Sequence, residues 1–446
     1  MNIFSYPKER ANQLALTLIL ALVVWTSIVL LFTRIWSDTF PGVIGYVTEG
    51  LLLLILGYVL FHPDIGRKHI FKKLQNPINF AFLLFIGFAL ISMFINNVPL
   101  AQGVLGVRAI FQFILLTIIV LLLDIPESWV KRLFHVILGM AVIQSIVGIG
   151  QVILGVPLPL TDMEGRRSVS IGEEIRAFGF MDSSNTLAAF IIVAVLLTVL
   201  YIFMYRSQLN RKSKILYIVL LSILMIALTL TFSRQAFLAL IGCFGLLGLL
   251  FRKNKAFKIM LISSATLLVL FIVGYGLAMI FLEGFAQRNL NTFDLLRNYR
   301  VLMILSGLMV FTFNPIFGVG PGMFGSNAAF FFNSPFHEFM MDDIPDDMTT
   351  VDNNALYVFV EYGIIGTILF LYLFFRIFKL MISMAESLSP AVLWISVFVL
   401  AFGIAFLLMG TLSTVWENQP ISIFFWLFLG IAVNWYNRGK TAAKET

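Results

Sequence analysis

Long apolar runs, separated by short polar breaks, recur from one end of the 446-residue chain to the other. An α-helix that crosses a bilayer needs about 20 consecutive apolar residues, so each run of this length predicts one span. We therefore predict an all-α integral membrane protein that forms a single domain over residues 1–446. The pattern predicts twelve spans, near residues 13–33, 42–62, 77–96, 106–123, 133–155, 184–205, 215–232, 236–251, 259–282, 352–375, 391–410 and 420–436.

The composition agrees with this pattern and excludes a water-soluble globule. Hydrophobic residues make up 60% of the chain, charged residues make up 12%, and the mean hydropathy is +0.97. Soluble domains are roughly half apolar and a quarter charged. The first apolar run follows Lys8, Glu9 and Arg10 and contains no small-residue cleavage site, so we expect a span there rather than a signal peptide. A single cysteine, Cys243, excludes an intrachain disulfide.

The charges in the short loops predict the orientation. Clusters of Lys and Arg fall on alternate sides of successive spans, which predicts a cytoplasmic-membrane protein with both termini in the cytoplasm. This topology puts 21 of the 30 Lys and Arg residues inside, and 17 of the 23 Asp and Glu residues outside. All 13 lysines lie inside, so every outward cation is an arginine: Arg34, Arg108, Arg166, Arg167, Arg176, Arg234, Arg288, Arg297 and Arg300.

Outward arginines without lysines indicate a site for an anionic substrate. A planar guanidinium can bind phosphate or carboxylate through two parallel hydrogen bonds, which a compact ammonium cannot do. The alternative is that the outward loops lack lysine by chance.

Two outward loops, 156–183 and 283–351, are longer than simple connections, and long ordered loops are usually functional. Within the second loop, the apolar run 301–313 is too short to span a bilayer and predicts an interfacial or re-entrant helix. Arg297 and Arg300 are three residues apart at its start, so both side chains can point toward one anion, and Arg288 precedes them. The alternative is that these arginines reach to lipid headgroups.

Arg234 lies in Thr231-Phe232-Ser233-Arg234-Gln235, which separates two apolar runs with almost no loop. Burying an ion there without a partner would cost several kcal/mol, and ionisable residues within the membrane are usually functional. The alternative is a plain tight turn at the interface.

Two further segments contain candidate site residues. The turn from Asn314 to Gly322 is rich in Gly and Pro, and its exposed backbone amides could approach an oxyanion. Asp352-Asn353 opens the next predicted span, where a helix cap is the alternative interpretation. Glu361 follows Asp352 by nine residues, which places the two on opposite faces of an ideal helix.

Motifs for other chemistries are missing from the sequence. It contains no Walker loop, no Gly-rich dinucleotide fingerprint and no His pair at metal-ligand spacing. The acidic run Asp342, Asp343, Asp346 and Asp347 is typical of a solvated loop more often than of a cation site. We therefore expect no cofactor, no metal and no nucleic-acid partner.

These motifs, in this order, resemble the O-antigen ligase and polymerase family (the Wzy-C superfamily). The resemblance covers about residues 140–375, including both outward loops. Its elements are Arg176-Ala177-Phe178-Gly179-Phe180 with Asn185 opening a span, Ser233-Arg234 between spans, Arg300, the turn Asn314 to Gly322 with Gly320, and Asp352-Asn353 followed by Glu361 and Gly363.

The resemblance implies a membrane glycosyltransferase that needs neither a nucleotide-sugar donor nor a metal. Its substrate would be an oligosaccharide on polyprenyl diphosphate at the outer face of the membrane, with membrane lipid and a chain-length regulator as further candidate partners. Arg234 and Arg300 would act with Asp352 in catalysis. Substrate would also contact Arg176, Arg288, Arg297, Asn185, Asn353, Glu361 and Gly320.

One departure from the family pattern bears on the activity. Ligases of the family typically have His-Asn where this chain has Asp352-Asn353. The carboxylate could still act as a general base, but the missing imidazole favours a polymerase that joins repeat units, with a ligase as the alternative. A transporter of lipid-linked glycans is a third reading, which the clustering of the arginines at one face disfavours. Arg34 and Arg108, outside the family motifs, are expected to be interface anchors.

Overall fold

The structure, a computed structural model, describes residues 7–35, 43–65, 76–156, 170–171, 174–251, 299–336, 351, 353–385 and 389–445, with isolated positions at 253, 258, 262, 266, 269 and 273. We number its helices and strands along the chain. The helices are α1 (Lys8–Ile35), α2 (Val43–Phe61), α3 (Pro77–Ile95), α4 (Leu100–Phe111), α5 (Ile114–Leu122), α6 (Glu127–Leu154), α7 (Ser184–Met204), α8 (Arg211–Leu230), α9 (Arg234–Leu250), α10 (Tyr299–Phe311), α11 (Asn327–Phe331), α12 (Asn354–Met384), α13 (Pro390–Gly410) and α14 (Gln419–Glu445).

This architecture confirms a helical, multi-pass membrane protein. Eight described helices are long and apolar enough to cross a membrane, namely α1, α3, α6, α7, α8, α12, α13 and α14. A ninth span is formed if α4 and α5, which meet at a bend of 63°, count as one. Two more predicted spans correspond to the shorter apolar helices α2 and α9, and the predicted span 259–282 falls largely outside the described residues. The count of twelve therefore stays a prediction.

The predicted short helix at 301–313 exists as α10, which is 13 residues long. The described residues also contain one small sheet, in which β1 (Ser170–Ile171) pairs antiparallel with β2 (Glu174–Ile175). Ser170 is opposite Ile175 in this ladder. This sheet lies in the connection between α6 and α7.

Successive long helices run in alternate directions, so the bundle has two faces. We call one the termini face, where Asp124 binds both Lys8 at the start of α1 and Arg438 in α14, each at 2.9 Å. We call the other the loop face, where α7, α9, α12 and α14 begin. All described candidate site residues lie toward the loop face.

The core of the bundle lies around α7, α13 and α14. In these helices 78%, 78% and 89% of the most apolar 18-residue window is buried, against 22% in α8, so α8 lies at the periphery. Trp394 and Trp426 are among the largest fully buried side chains. Peripheral helices instead expose apolar side chains such as Leu216 and Phe94, as expected for surfaces that meet lipid.

Helix α12 is interrupted at Gly363, whose φ of 64° and ψ of −167° are not helical. The interruption frees backbone groups, which an apolar environment requires to be paired. The Asn314 to Gly322 turn pairs them: Ile364 N–H donates to the Pro315 carbonyl at 2.9 Å, and Gly320 N–H donates to the Glu361 carbonyl at 2.9 Å. A Cβ at Gly363 would overlap the backbone nitrogen of Gly318, so glycine is required at this crossing.

Candidate functional site

The Arg176 to Phe180 segment is held against α6 by two buried glutamines. Gln151 Oε1 accepts from the amides of Phe178 and Gly179 at 3.1 and 2.9 Å, and its Nε2 donates to the Gly179 carbonyl at 2.8 Å. Gln144 Oε1 accepts from the Phe180 amide at 2.7 Å. Because these side chains satisfy the backbone of an extended segment, the segment can lie buried against apolar helices.

Arg176 is buried, with 6% of its surface exposed, at the corner between α8 and α9. Its Nε donates to the Thr231 carbonyl at 2.7 Å, and the next residue, Ala177, donates its amide to the Leu230 carbonyl at 3.0 Å. Arg176 thus binds the corner through Thr231, which lies 55 residues later in the chain. A buried guanidinium bound through its Nε in this way has a defined orientation.

Arg234 is the first residue of α9, and its side chain is exposed. The preceding Phe232 has a φ of 49°, a left-handed conformation that makes the turn between α8 and α9 tight. Ser233 Oγ donates to Asn185 Oδ1 at 2.9 Å, which joins the turn to the first turn of α7. We call the group formed by Arg176, Asn185 and the Thr231–Arg234 turn the arginine corner.

The corner between α13 and α14, residues 411–418, connects the arginine corner to the start of α12. Asn418 Nδ2 donates to Thr186 Oγ1 at 2.9 Å, beside Asn185. Asn354 Oδ1 accepts from the Trp416 amide at 2.8 Å, and Asn354 N–H donates to the Ser413 carbonyl at 3.3 Å. A small cleft of about 50 Å³ is lined by Asn185 and residues of this corner.

Asn353 caps α12, because its Oδ1 accepts from the Leu356 amide at 2.9 Å. The capping interpretation therefore holds for this side chain. The structure thus brings Arg176, Asn185, Arg234 and the start of α12 into one continuous set of contacts at the loop face. Asp352, Arg288 and Arg297 lie outside the described residues, and Arg300 is described only as a backbone position in the first turn of α10.

The Glu361 carboxylate is fully buried and holds the Gly-rich turn. Its Oε2 accepts from the Gly322 amide at 2.8 Å. Its Oε1 accepts from the amides of Phe324 and Gly325 at 3.1 and 3.2 Å and from Ser326 Oγ at 3.2 Å. Four donors converge on one carboxylate, which is how a buried acidic side chain is stabilised.

These bonds correct the interpretation that the amides of the turn are exposed to an oxyanion. The Gly318 amide donates to the Asn314 carbonyl, Gly320 donates to Glu361, and Gly322 donates to the Glu361 carboxylate. The turn is also held by α3, where Asn96 Nδ2 donates to the Gly318 carbonyl at 2.9 Å. Glu361 and Gly320 therefore have structural partners here, and their contact with substrate stays a prediction.

Arg108 is bound within the protein, which corrects its interpretation as an interface anchor. It forms an ion pair with Glu49 of α2. The same Glu49 Oε1 accepts from Gln112 Nε2 at 2.8 Å and from Gln419 Nε2 at 3.3 Å. Residue 49 lies within a predicted apolar span, and an acidic residue in such a run was the signal that sequence reasoning did not use.

Glu417, in the α13–α14 corner, accepts from both the amide and the side chain of Asn327 in α11, at 3.2 and 2.7 Å. Burial raises the pKa of this carboxyl to about 7, although the hydrogen bonds from Asn327 act in the opposite direction. The sequence pattern did not indicate Glu417, because its partner is 90 residues away.

The fold and the loop face define a class: a multi-pass helical membrane protein with a polar, arginine-containing site at one face of the bundle. Residues 216–371 match the Wzy_C family, described as O-antigen ligase. This match supports membership of the chain in the O-antigen ligase and polymerase superfamily. The matched residues include Arg234, Arg300, the Asn314 to Gly322 turn, Asp352 and Glu361, while Arg176 and Asn185 precede them.

None of the curated proteins compared with this chain matches it. The family match supports a membrane function of the O-antigen ligase or polymerase type; members of the family are glycosyltransferase-like enzymes that act on lipid-linked glycans.

Proposed function

We propose that this protein is a glycan polymerase of the cytoplasmic membrane. It joins oligosaccharide repeat units that are linked to polyprenyl diphosphate, for a surface polysaccharide such as an O-antigen, a capsule or an exopolysaccharide. The loop face is the outer face, and both termini are cytoplasmic. The charges at the termini face support this orientation, since Lys8, Lys131, Arg206 and Arg438 lie there.

The arginine corner is the observation that carries the proposal. Arg176 and Arg234 belong to separate motifs, and the fold places both at the same turn between α8 and α9. A diphosphate leaving group gains negative charge as the glycosidic bond breaks, and prepositioned guanidinium groups stabilise that charge. No covalent protein intermediate is required, because positioning of donor and acceptor supplies much of the rate acceleration.

Further proposed contacts come from the other motifs of the resemblance. Arg300 acts with Arg234 on the developing charge, and Arg288 and Arg297 bind the diphosphate or the glycan. Asp352 accepts a proton from the attacking sugar hydroxyl, as a general base. Support for a base here comes from the placement of Asn353 and Asn354, which fix the start of α12 beside the α13–α14 corner.

A ligase that transfers the glycan to a lipid or protein acceptor is the second candidate. The description of the matched family as O-antigen ligase favours it. The Asp352-Asn353 pair, where ligases of the family typically have His-Asn, supports the polymerase instead.

Reconstitution with a purified lipid-linked repeat unit tests the proposal. A polymerase forms a ladder of products without nucleotide or ion gradient. A single addition to a lipid or protein acceptor would identify a ligase. Movement of the lipid across the bilayer with no new glycosidic bond would contradict both and identify a transporter.

A further inference from the structure

A second cleft, of about 220 Å³ and lined by both polar and apolar side chains, lies beside the α13–α14 corner at the loop face. The α13–α14 corner and the start of α14 contribute to both sites. Glu417 and Gln419 line the larger cleft, whereas Asn418 between them lines the small cleft at Asn185. The two clefts are therefore adjacent at residues 417–419.

The wall of this cleft is built from hydrogen-bonding side chains that Glu49 holds in place. Glu49 Oε1 accepts from Arg108, Gln112 and Gln419, which come from two different parts of the chain. All three donors line the cleft, whereas Glu49 lies behind them. A guanidinium and two carboxamides retain further donors and acceptors after these bonds are made, so the wall can bind hydroxyl groups.

Two exposed aromatic rings complete the cleft. Tyr46 of α2 and Phe331 of α11 both line it, and they are 64% and 69% exposed. Large aromatic side chains left open beside a concave polar wall are typical of ligand sites, where the ring supplies an apolar surface and the wall supplies orientation. The apolar face of a pyranose ring, with hydroxyls at its edge, fits this combination.

The charges of the cleft disfavour an anion. Arg108 is already neutralised by Glu49 behind the wall, and Glu417 adds a carboxyl to the lining. A diphosphate placed here would face the Glu417 carboxyl and a guanidinium already compensated by Glu49, so no uncompensated cation of the lining attracts it. An uncharged polyol meets no such cost.

We propose that this cleft binds an uncharged sugar of the lipid-linked glycan, while the arginine corner binds the diphosphate. The inference rests on the proposed function, since it assigns the glycan portion of the same substrate. It makes Gln112, Gln419 and Phe331 determinants of which glycan is accepted, and Glu49 the residue that positions the donors.

Binding of two lipids to the purified full-length protein in nanodiscs tests the assignment. One lipid is undecaprenyl diphosphate alone, and the other is the same lipid carrying the oligosaccharide of the native host. Phe331→Ala and Gln112→Leu should weaken binding of the glycan-bearing lipid about fivefold to tenfold, the effect of losing one aromatic or hydrogen-bonded contact. Neither variant should alter binding of undecaprenyl diphosphate.

Phe94→Ala is the matched control, because Phe94 is also an exposed aromatic at the loop-face end of its helix and does not line the cleft. If Phe331→Ala weakens binding of both lipids equally, or weakens binding of neither, the assignment of a sugar to this cleft is overturned. Arg234→Lys tests the diphosphate role separately, since this variant should weaken binding of both lipids by the same factor. If that variant binds both lipids normally, the proposed function loses its support while the result for the cleft stands.

Discussion

Replacing Glu361 with glutamine tests whether this carboxylate holds the Gly-rich turn. In Glu361→Gln the amide oxygen can keep the three donors at Oε1, namely the amides of Phe324 and Gly325 and the Ser326 hydroxyl. The new NH₂ group then faces the Gly322 amide, which loses its acceptor. Losing a hydrogen bond to a charged group and leaving a buried N–H unpaired costs about 2–4 kcal/mol. Glu361→Ala leaves four donors without an acceptor and should cost more.

Cys243 offers an assay for this prediction. It is the only cysteine of the chain and is fully buried, so a thiol-reactive fluorophore labels it when the protein unfolds. We expect the midpoint of thermal labelling to fall by several degrees in Glu361→Gln. Glu9→Gln, the same chemical change at an exposed residue, is the control. An unchanged midpoint in Glu361→Gln together with lost turnover would refute the structural role and favour the predicted contact with substrate.

Three other changes have defined outcomes. Gly363→Ala should lower the midpoint of thermal labelling, because φ at this residue is positive and a Cβ would meet the Gly-rich turn. The control, Gly57→Ala, should leave the midpoint unchanged, because Gly57 has open space around it. Equal midpoints in the two variants would contradict the close crossing. Arg234→Lys should lose most turnover in the product-ladder assay at unchanged thermal stability, because an ammonium cannot replace two parallel hydrogen bonds. The control is Arg206→Lys, at an exposed position beyond the end of α7. Full activity of Arg234→Lys would exclude a bidentate role. Stability should fall as the pH rises from about 5 through 7 and then level off, because the pKa of Glu417 is raised to about 7 in the folded protein and the unfolded state releases this proton at lower pH. Glu417→Gln should flatten this slope, and an identical pH profile in both proteins would exclude Glu417 as its source.

The position of Arg176 shows how far the sequence could predict the site. Family motifs indicated Arg176, Asn185 and Arg234 separately, and the structure places them at one corner. The glutamines that hold the Arg176 segment, Gln144 and Gln151, were not predicted. They are seven residues apart and hence on one face of α6, a polar pair in an apolar helix that could have been noticed.

Arg108 shows the opposite case. Because it lies outside the family motifs, it was expected to be an interface anchor, but its partner Glu49 is 59 residues earlier in the chain. No local pattern connects the two residues, because they lie in separate predicted spans. No local pattern connects Glu361 with Gly322 either, because they are 39 residues apart and Gly322 lies in the predicted loop 283–351.

The sequence by itself determined the helical membrane class, most helix positions and the short α10, because a bilayer imposes a length and a composition on each span that are visible locally. It also determined which arginine motifs the chain carries. Only the tertiary structure decided what each buried polar group binds: Glu361 the Gly-rich turn, Arg176 the α8–α9 corner, and Glu49 the wall of the larger cleft. The physical reason is that a buried charge must be satisfied, while the helix that supplies its partner is selected by the packing of the whole bundle.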